Sequence, residues 1–264
     1  MSRDGAHSYA LRNGVPILIA GGNRLLANHE EHAGSMRAEY EASHGPLRKA
    51  ARRLSSLGGD FRTAASQVAF EAVVAAQPAG ALCISVGGGP QRVHSNLVNV
   101  NLDAFSNVDV VGDAYQLPYS DGSVDAVHCE AVLEHLELPD RAVAEMFRVL
   151  KRGGQIFAAT PFLQSFHAYP NHFQNFTVIG HARLFERAGF EVVSAGTCVG
   201  PTFAVTELIS AYLRTYVATW LLSRGLAALA RLALLPLRPL DRLIQRSSDS
   251  HRLASSVYAH VSKP

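Results

Sequence analysis

Cysteine is scarce. The chain of 264 residues carries three, Cys83, Cys129 and Cys198, far apart and without a CxxC pair. That pattern supports neither a zinc ribbon nor a disulfide framework, and it suits a reducing, cytoplasmic compartment. Excess charge of one sign is also missing: 24 Lys and Arg stand against 22 Asp and Glu, a net of +2. A dedicated nucleic-acid binder shows a basic surplus, so that class is set aside. The first residues, MSRDGAHSYALRNG, hold no apolar stretch of the kind that opens a secretory signal. Nowhere does an uncharged apolar run reach the roughly 18–20 residues needed to cross a bilayer.

What is present is a hydrophobic chain, 48% apolar, large enough for one sizeable domain with appendages. Residues 1–60 read as an irregular extension. Within it, Asn13-Gly14 signals a tight turn before the apolar Val15–Ile19, so residues 9–22 form a short hairpin. From Phe61 to Gln77 the apolar residues Val68, Ala69, Ala72, Val73 and Ala76 recur at helical spacing, and Pro78 and Gly80 end the helix. Strands and helices then alternate. Strands are predicted at 81–86, 98–102, 108–111, 124–129, 155–160 and 192–195. Helices are predicted at 139–150, with Pro139 in the first turn, and at 178–188, capped by Thr177 and closed by Gly189. This alternation implies a Rossmann-like α/β domain over 61–204, a mostly parallel sheet with helices on both faces. Residues 205–264 read as a helical extension that ends in a strand, VYAHVSKP.

The stretch CISVGGGPQR, 83–92, sets three glycines at the end of a strand. In open α/β sheets, ligands bind beyond the carboxyl ends of the strands, where a glycine turn lets backbone approach them. The dinucleotide fingerprint GxGxxG fits at Gly87 and Gly89 but fails at Arg92. Asp103 also comes too early for that motif's ribose acid. Downstream lie an acid at the second strand's end, Asp103, then GDAYQLPYSDGSVDAV (112–127), AVLEHL (131–136) and EMFRVLKRGG (145–154). In this order, over about eighty residues, they resemble the class I S-adenosylmethionine (SAM) methyltransferases, in the branch of the ubiquinone-biosynthesis type.

The resemblance implies SAM as cofactor and a role for each matching position. Gly87, Gly88 and Gly89 would form the loop under the methionine part. Asp103 would accept hydrogen bonds from the ribose hydroxyls. Asp113 and Ala114 would read the adenine. Glu130 would lie near the methyl-donor side. The loop departs from the family pattern where an acid and a final glycine are usual: Ser85 and Gln91 stand there, with Ser85 counted among the loop residues. The N-terminal hairpin looks like the tail of a zinc-ribbon module that has lost its cysteines.

The acceptor side has two sources of histidine, the side chain suited to proton transfer near neutral pH. His135 follows the fourth strand. PFLQSFHAYPNHFQNFT (161–177) follows the fifth and offers His167, Tyr169 and His172 among four phenylalanines. This loop resembles FLQPFHGYP-like sequences of methyltransferases that accompany sugar and polysaccharide pathways. Aromatic rings stack on sugar faces, so the expected reaction is O-methylation of a sugar or other polyhydroxylated metabolite. Methylation of an aromatic or quinone-like molecule, and a SAM-binding protein without catalysis, remain the alternatives. No metal motif is visible; an Mg2+ site would have to draw on Asp121, Asp125 and Glu130. In the last segment Arg214, Arg224, Arg231, Arg238 and Arg242 follow spacings that stripe one helical face. That stripe fits a cap over the cleft, a homodimer interface or a basic helix at a membrane surface.

Overall fold

The computed structural model describes residues 9–12, 14–19, 62–167, 171–217, 219–245, 247 and 249–264; of Trp220, Leu221, Arg224 and Arg238 it describes the backbone alone. Tyr169, Phe61 and most of the N-terminal extension lie outside the described residues.

Among the described residues, nine strands and six helices carry the fold: β1 Leu11–Arg12, β2 Val15–Pro16, α1 Ala64–Phe70, β3 Cys83–Val86, β4 Leu97–Asn101, β5 Val110–Val111, β6 Val124–Glu130, α2 Pro139–Val149, β7 Leu150–Pro161, α3 Val178–Arg187, β8 Glu191–Val199, α4 Pro201–Tyr216, α5 Trp220–Leu234, α6 Arg238–Ile244 and β9 Ser256–Ser262. Seven strands make one sheet in the order β5-β4-β3-β6-β7-β9-β8. The first five run parallel, and β9 lies antiparallel between β7 and β8. This is the Rossmann-like architecture that the alternation implies. The C-terminal segment therefore supplies the strand next to the sheet's edge strand β8 as well as three helices.

The central strands are buried on both faces, which is why CISV and VDAVHC read as nearly unbroken apolar runs. On one face Ile84, Val86, Val127 and Cys129 meet Ala142, Val143 and Met146 of α2 and Leu184 and Phe185 of α3. On the other, Cys83, Ala126 and Phe157 meet Ala69, Val73 and Val74 of α1 and the single π-helical turn that continues it. The side-chain oxygen of Thr63 accepts from the backbone N–H of Ser66 and starts α1, two residues after the predicted Phe61. Thr177 likewise caps α3, and Gly189 follows it at φ +98°. All three cysteines are buried free thiols.

The hairpin forms on Gly14 at φ +81°. Ile17 bridges Val111 in parallel, so the N-terminal segment prolongs the sheet beyond its edge strand β5.

The arginine stripe is not one helix. The chain leaves helical geometry at Val217, and beyond Leu234 the α-helix gives way to a 3-10 turn, Leu235–Leu237, before α6, which has Pro239 in its first turn. Arg231 of α5 instead reaches back to Glu207 of α4 at 2.9 Å, and Arg214 is 4.0 Å from the same carboxylate. Among the described residues, no helix is long and apolar enough to cross a membrane.

His181 sits fully buried on α3 between Phe176 and Phe185, with neither ring nitrogen hydrogen-bonded among the described residues. Burial pushes its pKa from 6.5 down to about 3. Between those values the unfolded chain binds a proton that the folded chain refuses, so stability falls as pH falls through that window. In His181→Leu the melting temperature should drop less between pH 7 and pH 4.5 than in the parent protein. Parallel pH profiles would refute this burden on His181.

Candidate active site

Every element of the site leaves the carboxyl edge of the parallel strands. The loop after β3 begins at Gly87, whose N–H donates to Val100 O at 2.8 Å and extends the ladder to β4. Gly87 and Gly89 adopt φ of +69° and +62°, the left-handed region where a Cβ is costly. A Cβ on Gly87 would meet Val132 Cγ2 at 2.3 Å, and one on Gly88 would meet Asn99 Oδ1 at 2.5 Å. Asn99 holds the loop from beneath, donating through Nδ2 to Gly89 O at 2.8 Å and Asn107 O at 2.9 Å. Gly89 faces open space, with nothing within 4 Å of where its Cβ would stand. The three glycines thus form a cradle whose outer rim is bare backbone.

Beside it, Asp103 and Asp113 follow the ends of β4 and β5 and are 7% and 6% exposed. Asn101 Oδ1 accepts the Asp103 backbone N–H at 2.9 Å, and Asp113 Oδ1 accepts that of Tyr115 at 2.9 Å. Both turns are fixed by these local bonds. A glycine cradle flanked by two carboxylates suits a ligand with a charged tail, ribose hydroxyls and an amino-bearing base. The residues present therefore fit SAM, with Ala114 directly after the second carboxylate.

Ser85 lies below the cradle and is buried. Its Oγ is 3.0 Å from His128 Nδ1, and His128 Nε2 is 3.3 Å from Glu130 Oε2. A carboxylate only accepts, so in the neutral imidazole Nε2–H donates to Glu130 and Ser85 Oγ–H donates to Nδ1. Arg62 binds the same Glu130 oxygen and lies over the rings of Phe70 and Phe157. Burial alone would raise the Glu130 carboxyl, but the His128 hydrogen bond and the Arg62 charge hold it below the usual range. Glu130 thus stands at the strand end where the sequence put it, with its carboxylate turned to these two partners. Arg62 and His128 were missed in the sequence. His128 was findable, because it is two residues before Glu130 and shares its face of the strand.

Beyond β6 the chain turns at Ala131, φ +54°, the one non-glycine residue with positive φ among the described residues. Val132 then packs on Gly87, and Leu133–His135 make one 3-10 turn. The loop after β7 comes down on this turn, Phe173 N–H donating to Glu134 O at 2.8 Å. Three histidines meet there. The ring centres of His135 and His167 are 5.4 Å apart, those of His167 and His172 4.3 Å. His172 is tied at both nitrogens, to the His167 backbone N–H and to Asn175 Oδ1. Burial lowers the His135 pKa, opposed by the Asn171 carbonyl and reinforced by the neighbouring histidines. Glu134, next to His135 and also missed in the sequence, is 0% exposed, and neither carboxylate oxygen has a hydrogen bond to another of the described residues. Burial pushes its pKa up to about 7.

The structure corrects the Mg2+ candidates. Asp125 is the second residue of β6 and Glu130 its last, five residues or about 16 Å apart. Asp125 binds Lys151 Nζ at 2.7 Å and the Leu82 N–H at 2.8 Å, while Asp121 pairs with Arg148. These carboxylates cannot share an ion.

Residues 90–158 match the family described as "Methyltransferase domain". Over that stretch the chain is similar to SAM-dependent methyltransferases. It is 46% identical over 63 residues to an uncharacterized chloroplastic methyltransferase of Arabidopsis thaliana, covering 24% of this chain and 18% of that one. It is 37% identical over 95 residues to a "probable S-adenosylmethionine-dependent methyltransferase" of Mycolicibacterium smegmatis, covering 33% and 37%. The chain thus spans well under half the length of these relatives. The solved Burkholderia thailandensis 1,6-didemethyltoxoflavin-N1-methyltransferase aligns over 89% of each chain at 14% identity, with a TM-score of 0.49.

The contact of Gly87 with Val132 ties the cradle to the histidine turn. Gly87→Ala should lower stability by about 1–3 kcal/mol, from the strained φ and the displaced Val132. Chemical denaturation checks this, and an unchanged midpoint would show that the loop yields freely.

Proposed function

We propose that the protein transfers the methyl group of SAM to a hydroxyl of a sugar or other polyhydroxylated small molecule. The observation that carries this reading is the meeting, on one sheet edge, of the glycine cradle with its two flanking acids and the Glu134/His135/His167 cluster. When bound, SAM supplies an activated methyl: the new O–C bond forms as the S–C bond breaks, and sulfur keeps the electron pair.

The chain's own residues do the rest. Gly87, Gly88 and Gly89 present backbone to the methionine portion. Asp103 takes the ribose hydroxyls in charge-assisted hydrogen bonds. Asp113 and Ala114 receive the adenine, by carboxylate and backbone amide. Ser85, backed by His128, Glu130 and Arg62, holds the floor of the cradle where the family pattern has an acid, so loop order is kept without a charge. Alignment of donor and acceptor is the larger contribution, on the order of 7–11 kcal/mol for well-oriented groups. The cluster then draws in the acceptor hydroxyl and eases loss of its proton, worth about 10²–10⁴-fold. Within it, His135 and His167 present their Nε2 atoms, and His172 is a strut beneath them. Tyr169 belongs to the same loop and is a candidate for acceptor contact.

Phe166, 75% exposed and stacked on His172 with ring centres 5.7 Å apart, favours a second reading, an aromatic acceptor lying on the same platform.

Calorimetry should show SAM and S-adenosylhomocysteine binding to the parent protein, with a loss of tenfold or more in Asp103→Ala. Absence of binding of either below millimolar concentration would refute the reading. Labelled methyl transfer to a panel of saccharides and phenolics then separates the acceptor classes. His135→Ala should lose turnover while keeping its affinity for S-adenosylhomocysteine.

A further inference from the structure

We infer that Glu134, His135 and His167 form a binding site for a divalent transition-metal ion of the Zn2+ and Co2+ class. The site deepens the proposed hydroxyl methylation and rests on it only for its purpose, not for its existence.

Three observations carry it. First, one ligand atom from each residue converges on one spot: Glu134 Oε1 is 3.7 Å from His135 Nε2 and 4.0 Å from His167 Nε2, and all three atoms lie within 4.8 Å of one another. Ligands 2.0–2.2 Å from a shared ion stand about 3–3.6 Å apart, so inward shifts of a few tenths of an ångström would suffice. Secondly, both imidazoles are oriented for ligation. His135 Nδ1 meets the Asn171 carbonyl, and His167 Nδ1 meets the Ser165 carbonyl at 2.9 Å. A carbonyl only accepts, so each Nδ1 carries the proton and each neutral ring turns an Nε2 lone pair toward Glu134. Metal-bound histidines are held in this way. Thirdly, the Glu134 carboxylate is fully buried with no hydrogen bond from another of the described residues to either oxygen. A carboxylate so placed is costly unless something pairs with it. A cation between two imidazoles answers that cost.

Two nitrogens and one carboxylate oxygen suit borderline divalent ions, and three protein ligands leave positions open. The open positions lie on the acceptor side, where two neighbouring hydroxyls of a polyol would chelate the ion. The ion would lower the hydroxyl's pKa, as it does for bound water. The Nε2 atoms then serve as ligands, and the hydroxyl proton passes to solvent as the O–C bond forms.

The test uses the full chain, stripped with a chelator and dialysed, then titrated with Co2+ and with Zn2+ at pH 7.5. Co2+ should bind at one equivalent, with a visible d–d band that Zn2+ displaces. His167→Ala changes a half-exposed side chain. It should keep the parent's circular dichroism and weaken binding by tenfold or more; Glu134→Gln should do the same if it folds. No band and no binding in the parent, or undiminished binding in His167→Ala, would overturn the site. S-adenosylhomocysteine calorimetry on the same samples separates the two ideas. Cofactor binding without metal refutes the ion site alone, whereas metal binding without cofactor affinity refutes the methyltransferase reading and supports the ion site.

Discussion

No atom can be added to Gly87, because the side chain of Val132 already fills the space where a Cβ would stand. That contact joins the two loops that leave the adjacent strands β3 and β6. It fixes how far the cofactor cradle stands from the turn that carries Glu134 and His135. Asn99 pins the cradle from one side and the Ser85–His128 bond from below. On the far side of Val132, the left-handed Ala131 swings the chain sharply out of the sheet, and its N–H returns to Ala159 O at 2.9 Å. The site is thus built on backbone held at both ends by the sheet, the arrangement that keeps functional groups most exactly placed.

The polar column through the second face of the sheet departs most from a plain hydrophobic core. Ser85, His128 and Glu130 occupy inward positions that would otherwise be aliphatic, and Arg62 closes the column at its open end. His128 also packs among rings, stacked parallel to Phe157 and edge-on to Phe70. Breaking any one member leaves a buried donor or acceptor without its partner, which costs more than the bond itself contributes. The column therefore behaves as a unit, and it explains how a cradle with serine in place of an acid keeps its shape.

Local signals made most of the fold legible. The strands, the cap at Thr177, the glycine turn and the strand-end acids each depend on residues a few positions apart, so spacing reveals them, whereas the Thr63 cap that starts α1 was missed. The partners of those residues were not legible. Arg62 and Glu130 are 68 positions apart, and His135 meets Asn171 across 36. Only the crossing of chain segments brings them together. Glu134 shows the limit well. It was visible inside AVLEHL, but its burial follows from residues of the loop after β7, Phe173 among them, coming down on its turn. The arginine spacing misled for the opposite reason: periodicity was continuous where the helix was not.

The insertion of β9 between β7 and β8 has a consequence for biosynthesis. Strands β7 and β8 are made first and do not pair with each other. Each must wait for residues 256–262, which begin 95 positions after the end of β7. Until then both present unpaired backbone edges, the feature that invites misassembly of nascent chains. The half-sheet β5-β4-β3-β6-β7, which holds the cradle and the histidine turn, can settle earlier. The cofactor-binding half would then act as a template on which the late strand docks and draws β8 into place.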